Sequence, residues 1–219
     1  MSRSRGREAA VTRVVLVRHG ETEWNAHKRA QGQADVTLSP RGREQAKETA
    51  ARLSVLHVEA VYASDLSRAV ETARAIAEVH ELEVVEDPAF REIDQGEWTG
   101  LTIDEIKRRW PERWGPARHY SARPGGESPQ QVRRRALEGL RRVVERNPKG
   151  TVVIASHGGT IRWLSAEALG YDDHQSARLR GVSNGGVVSL DARLDSSGLV
   201  LSGLERMDRA SPDMDDPNA

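Results

Sequence analysis

The sequence predicts an α/β fold, a layered and mostly parallel sheet in one domain. Three observations carry this. Short apolar runs alternate with longer amphipathic stretches along the 219 residues, the pattern of strand–helix–strand units. The first run, Val14 to Val17, is wholly aliphatic, as in a strand buried on both faces of a parallel sheet. Two of the runs end on a histidine and glycine, in Arg18-His19-Gly20 and Ser156-His157-Gly158-Gly159. The groove beyond the carboxyl ends of such strands is where α/β sheets place ligands.

The elements follow in order. Residues 1–11 are polar and basic without a period and read as a disordered tail. Strand one leads through Gly20, read as a sharp turn free of a Cβ, into a loop reaching about Leu38. Ser39-Pro40 is an N-cap with proline at the first helical position. That helix runs to about Leu56, burying Ala46, Ala50 and Leu53. Val58 to Ala63 reads as strand two, and Ser64-Asp65 as the cap of the next helix. That helix buries Leu66, Ala69, Val70, Ala73, Ile76 and Ala77 and carries Arg68 off this stripe. Leu82 to Val85 is a third strand, and Pro88 to Gly100 is irregular. Thr102 with Glu105 forms a capping box for a helix to about Trp110, and Ser128 with Gln131 one for a helix to Arg146. Residues 111–127 between them read as a loop or lid. The second of these helices buries Val132, Ala136, Leu140 and Val143. Its arginines 133, 134, 135, 141 and 142 read as a solvated face. Thr151 to Ala155 is the strongest strand, and a helix follows from Thr160 to Leu169. Val182 to Leu190 and Leu199 to Leu204 read as the last two strands, with an antiparallel direction as one expectation. Residues 207–219 are acidic, polar and expected to be disordered. The domain expectation is one unit over 12–206 with a lid insertion at about 101–128.

Composition narrows the function. Thirty-three basic and 33 acidic residues balance, which gives no support to a nucleic-acid or membrane-surface partner. The cysteine count is zero, which excludes disulfides, a cysteine nucleophile and thiolate metal sites. No apolar run approaches the ~20 residues of a membrane span, and no secretory signal is visible. A cytoplasmic protein is the expectation. Lysine occurs only at 28, 47, 107 and 149, so nearly all the basic residues are arginine.

Arg18, His19, Asn25, Gln31, Arg68, Glu92 and His157 all fall at strand ends or in adjacent loops. Singly, each has an ordinary explanation: a surface ion pair, a solvated carboxylate, a hydrogen-bonded core histidine. Jointly they are what phosphoryl transfer needs. A phosphoryl group spreads charge over three oxygens that want several donors. Arginine forks suit that shape. A nucleophile must face the leaving oxygen, and an acid must protonate it, because an alkoxide leaves badly.

The chain resembles the histidine phosphatase superfamily, also called phosphoglycerate mutase-like. The resemblance rests on VVLVRHGETEWN (14–25), RAQGQADVTLSPRGREQA (29–46), VYASDLSRAVETA (61–73), FREIDQGEWTG (90–100), PGGES (124–128) and VVIASHGGTIR (152–162). It implies a three-layer α/β/α fold with His19 as the nucleophile that becomes phosphohistidine. Arg18, Arg68 and His157 would grip the phosphoryl oxygens, Asn25 would help hold the group, and Glu92 would be the acid and then the base. It implies no metal, no cofactor and a small phosphate ester as the partner. Homodimers occur in that family, so a homodimer is one expectation. Gln31 stands where broad phosphatases of the family carry glutamine, and the stretch from Glu92 to His157 is shorter than in the mutases. Both favour a phosphatase over a cofactor-dependent mutase, and both over a non-catalytic phospho-ligand binder. Trp110, Trp114, His119, Tyr120 and Arg123 would belong to a lid that sets substrate choice, or else pack against the domain. The physiological ester is not legible.

Overall fold

A computed structural model describes residues 10–114 and 121–207. Most of both predicted tails, and His119 and Tyr120 of the predicted lid, lie outside the described residues.

Six strands form one mixed sheet. They are β1 (Thr12–Arg18), β2 (Ala60–Ala63), β3 (Val84–Glu86), β4 (Gly150–Ser156), β5 (Val187–Asp195) and β6 (Gly198–Arg206), in the spatial order β3-β2-β4-β1-β5-β6. The β1–β4, β2–β4 and β2–β3 pairs are parallel. The β1–β5 and β5–β6 pairs are antiparallel. Side chains alternate across the sheet, so each central strand feeds two cores. Val14, Leu16, Tyr62, Val152 and Ile154 pack on one face against Ala136, Leu140 and Val143 of α6 (Pro129–Arg146) and Ile161 and Leu164 of α7 (Gly158–Ala168). Val15, Val17, Val61, Ala63, Val153 and Ala155 pack on the other against α2 (Pro40–Leu53) and α3 (Ser67–Val79). Layers of helix, sheet and helix result. The remaining helices are short: α1 (Glu23–Ala26), α4 (Ile103–Arg109), α5 (Pro111–Trp114) and α8 (Asp173–Arg178).

Both predicted capping boxes are formed, by Thr102 with Glu105 and by Ser128 with Gln131, and Ser39 caps α2. Other expectations are corrected. The α3 helix starts after Leu66, with no side-chain cap. Ser64 Oγ instead accepts from the Leu66 N–H at 3.3 Å, and Asp65 accepts from Arg91 Nε at 2.7 Å. The segment before β5 is not strand: Gly186 accepts from the Arg18 N–H, and the Gly185 N–H donates to Arg18 O. The turn is spent holding the end of β1. Within the predicted lid, Pro111 to Trp114 is helical, and α8 has no counterpart in the sequence reading.

Gly20 is required by closeness rather than by backbone torsion. A Cβ there would lie 2.2 Å from the carbonyl oxygen of Gly42, and one on Gly42 would lie 2.0 Å from that of Glu21. The first turn of α2 thus lies directly on the backbone after His19. Gly42→Ala should therefore destabilise the protein by about 1–3 kcal/mol, whereas glycine to alanine in an open helix stabilises by roughly 0.5–1 kcal/mol. Urea unfolding decides; a variant more stable than wild type would contradict the contact.

Candidate active site

The parallel register sets Arg18 beside Ser156. The next residue on each strand is then a histidine, and the His19 N–H donates to Ser156 O at 3.0 Å. The two imidazoles stand with ring centroids 5.1 Å apart and planes inclined by 60°. Both are buried.

His19 Nδ1 lies 2.7 Å from Gly20 O. A carbonyl accepts only, so this contact assigns the proton to Nδ1 and the lone pair to Nε2. Burial first, then Arg68 and Arg18, hold the ring well below the ordinary histidine range, against a smaller upward push from Gly20 O. Both observations point to a neutral ring whose Nε2 carries a lone pair. His157 is also pushed well below that range, by burial and then by Arg68, His19, Arg135 and Arg18. It caps α7 through its backbone, and among the described residues neither of its ring nitrogens has a hydrogen-bond partner.

Both arginines are buried yet held through backbone carbonyls. Arg18 Nη1 donates to Val182 O at 2.8 Å. Arg68, read from periodicity as lying off the buried stripe, is 0% exposed. Its Nη1 and Nη2 donate to Ala34 O and Gly32 O at 2.8 and 2.7 Å. Burial lowers it to about 10, opposed by Glu92 and Asp35 and reinforced by Arg18. Carbonyls orient a guanidinium without cancelling its charge.

Glu92 is buried too. Its Oε1 accepts from the Ile93 N–H at 2.8 Å and its Oε2 from the Gly159 N–H at 3.1 Å. A Cβ on Gly159 would fall 2.4 Å from Oε1, so glycine is what admits this carboxyl to the start of α7. Burial raises its pKa, outweighing the two N–H donors and the two arginines.

The other predicted residues form an adjoining network. Asn25 Oδ1 accepts from the Thr22 N–H and hydroxyl, both at 3.1 Å, and from Asn184 Nδ2 at 3.3 Å. With its oxygen so occupied, its amide nitrogen is the half that can serve an anion. Buried Gln31 Oε1 lies 2.9 Å from the Thr22 hydroxyl and shares its single proton with Asn25 Oδ1. Asn184 was missed from sequence: its Nδ2 also donates to His19 O at 3.0 Å. The only sequence trace was the turn signal Ser183-Asn184-Gly185-Gly186, read as strand. The predicted lid tryptophans pack. Trp98 packs at a tilt against Trp114 and Trp110, with ring centroids 5.9 and 6.4 Å away, and the Arg123 guanidinium sits 4.9 Å over Trp98. No group of three or more His, Asp or Glu side chains suited to a metal ion exists among the described residues.

A family model described as histidine phosphatase superfamily (branch 1) matches residues 14–204. The chain belongs to that superfamily. Phosphoserine phosphatase 1 of Hydrogenobacter thermophilus is 39% identical over 165 residues, 74% of this chain and 78% of that protein. A probable phosphoglycerate mutase of Enterobacter is 34% identical over 76% of this chain and 79% of its own length. Among solved structures, a mycobacterial glucosyl-3-phosphoglycerate phosphatase complexed with VO3 superposes with a TM-score of 0.83 at 32% identity, covering 91% of this chain and 99% of that one. The three-layer architecture is thus the phosphoglycerate mutase-like fold of the histidine phosphatase superfamily.

A cluster of this kind is stabilised by an anion that binds only the folded state. Inorganic phosphate at about 100 times its Kd should raise Tm by roughly 5–10 °C, while sodium chloride of equal ionic strength should not. In Arg68→Ala the phosphate response should largely vanish. An equal rise with chloride, or an undiminished rise in the variant, in a thermal-shift measurement would contradict the assignment.

Proposed function

We propose that this histidine phosphatase superfamily member is a metal-independent phosphomonoester phosphatase that works through a phosphohistidine at His19 on a small phosphorylated metabolite. The observation that carries the reading is the buried pair of neutral imidazoles at adjacent strand tips, bordered by two carbonyl-held guanidiniums and a carboxyl whose pKa is raised. Each element has a step. His19 Nε2 attacks phosphorus in line with the ester oxygen, forming a P–N bond as the P–O bond breaks. Arg18, Arg68, His157 and Asn25 donate to the three non-bridging oxygens, whose charge persists through the transition state. Glu92 gives its proton to the departing oxygen. The resulting carboxylate then takes a proton from water, whose oxygen attacks phosphorus while the P–N electrons return to Nε2. Free phosphate and a protonated Glu92 remain, and the cycle closes.

Residues 12–206 form the catalytic unit in this reading. Gln31 and the length of the stretch from Glu92 to His157 support hydrolysis over transfer to a second phosphoglycerate. The relatives named as probable mutases keep that second reading in the test. The ester panel follows from the relatives' names: phosphoserine, glucosyl-3-phosphoglycerate, 3-phosphoglycerate and p-nitrophenyl phosphate, ranked by kcat/KM. Net mutase turnover stimulated by 2,3-bisphosphoglycerate, exceeding hydrolysis, would overturn the phosphatase assignment.

His19→Ala should reduce hydrolysis of p-nitrophenyl phosphate to the uncatalysed background. Glu92→Gln should lower kcat/KM for alkyl esters by about 10²–10⁴-fold. Activity should survive chelation by EDTA and fall with vanadate. Turnover unchanged in His19→Ala, or lost on chelation and restored by a divalent ion, contradicts the mechanism.

The pH dependence follows from the two shifted groups. His19 must be neutral, so kcat/KM rises with pH through its lowered value. Glu92 must hold its proton, so kcat/KM falls as pH passes its raised value. A bell with an acid-to-neutral optimum is expected, and Glu92→Gln should lose the alkaline limb. A wild-type rate still climbing above about pH 9 would contradict Glu92 as the donor.

A further inference from the structure

Glu92 belongs to an irregular segment. After the 3-10 turn Pro88–Phe90, residues 91–95 have no helix or strand to fix them. A general acid must nevertheless be held to a fraction of an ångström from the leaving oxygen. The fixing comes largely from one side chain on α6. Arg135 Nη1 donates to Ala89 O at 2.9 Å and to Arg91 O at 2.6 Å. Its Nη2 donates to Glu92 O at 2.8 Å and to Glu127 Oε2 at 2.9 Å. Its Nε donates to Glu127 Oε1 at 2.9 Å. A guanidinium has five N–H groups, and all five are spent, three of them on the backbone around the acid.

Glu127 extends the clamp. It accepts from the Asp94 N–H at 2.9 Å, and its own N–H donates to Asp94 O at 3.0 Å. Gln33 Nε2 donates to Glu92 O at 3.2 Å and to Glu127 Oε2 at 3.3 Å. Burial pushes the Glu127 carboxyl up, but the Arg135 and Asp94 donors outweigh it and hold the group below the ordinary glutamate range. The Arg135 fork and the Asp94 N–H both favour its carboxylate form. The arginine that helix periodicity assigns to a solvated face is therefore wired to the acid, while its neighbour Arg133 makes an outer ion pair with Glu167.

We propose that Arg135 is a positioning residue for Glu92, acting with Glu127 and Gln33 to hold the acid's backbone at the leaving-group side of the site. The inference rests on Glu92 being the general acid. Arg135 has no role at phosphorus and none in nucleophilic attack, so its loss should act only where the leaving oxygen needs a proton. Lysine at 135 keeps the positive charge that acts on His157 but has three donors on a single nitrogen, which cannot span four acceptor groups.

The test compares kcat/KM for p-nitrophenyl phosphate, whose leaving phenolate needs little protonation, with that for glycerol 2-phosphate, whose alkoxide needs it. This constant reports the steps up to phosphohistidine formation. Glu92→Gln is the control for the underlying reading: it must lower the alkyl ester far more than the aryl ester, and if it does not, Glu92 is not the acid. Given that split, Arg135→Lys should lower kcat/KM for glycerol 2-phosphate by at least about tenfold and for p-nitrophenyl phosphate by less than about threefold. Equal losses on both esters, the mark of a merely structural residue, or no loss on either, overturn the proposal. If Arg135→Lys does not fold, Gln33→Ala decides, since it removes only the lighter arm of the clamp. Its ratio of aryl to alkyl kcat/KM should rise by at least about threefold, and an unchanged ratio overturns the proposal.

Discussion

The parallel pairing of β1 with β4, in the register that sets Arg18 against Ser156, is the constraint on which the rest of the structure depends. Parallel strands end side by side at one edge of the sheet, so residues just past a paired couple are neighbours whatever their distance in sequence. That is why His19 and His157, 138 positions apart by number, face each other at 5.1 Å. A slip of one residue would turn one of the two to the opposite face. The slip is opposed by the alternation of Val14 to Val17 and Val152 to Ala155 between two separate cores. The apolar packing of the sheet and the geometry of the site are therefore one requirement.

Around that edge, backbone does much of the work. Gly20 lies against Gly42, Gly159 lies against Glu92, and the turn before β5 closes on Arg18 and His19. Two guanidiniums are buried, and carbonyls of residues 32, 34 and 182 satisfy part of their hydrogen-bonding. Such an arrangement costs folding free energy, since charge leaves water. The cost is limited because both imidazoles shed their protons and the carboxyl keeps one more readily than in water. The same three shifts are in the directions that the proposed attack and leaving-group protonation require. Preorganisation of this sort places donors where charge will sit before the substrate arrives.

Glycine-bounded strand tips and capping boxes are local signals, and they were legible. The alternation of strands and helices and the placing of His19 and His157 at strand ends follow from them, whereas Glu92, in an irregular segment, has no such signal. Arg68 and Arg135 were harder. Periodicity counts arginine as polar and sends it outward, yet both reach backbone carbonyls of loops that lie far off in sequence. Arg68 stands out only as one of a joint set of polar residues near strand ends, and Arg135 has no local mark at all. Asn184 holds His19 O and Asn25 Oδ1 across roughly 160 positions, a contact that no window of sequence contains. Asp65 was misread for the opposite reason: it has the chemistry of a cap, but a stronger partner, Arg91, was within reach. Helix α8, six residues long with two buried small side chains, is too short to show an apolar period.

The central claim is that one phosphorus atom is transferred to His19 before it reaches water. Rapid mixing with an excess of p-nitrophenyl phosphate, an alkaline quench that preserves phosphohistidine, and peptide mass mapping measure this directly. The account predicts the added mass of one phosphoryl group on the peptide containing His19, formed within the first turnover and absent from His19→Ala. Phosphate release by an active enzyme with no phosphorylated peptide at any time, or with the group on a different residue, would contradict it.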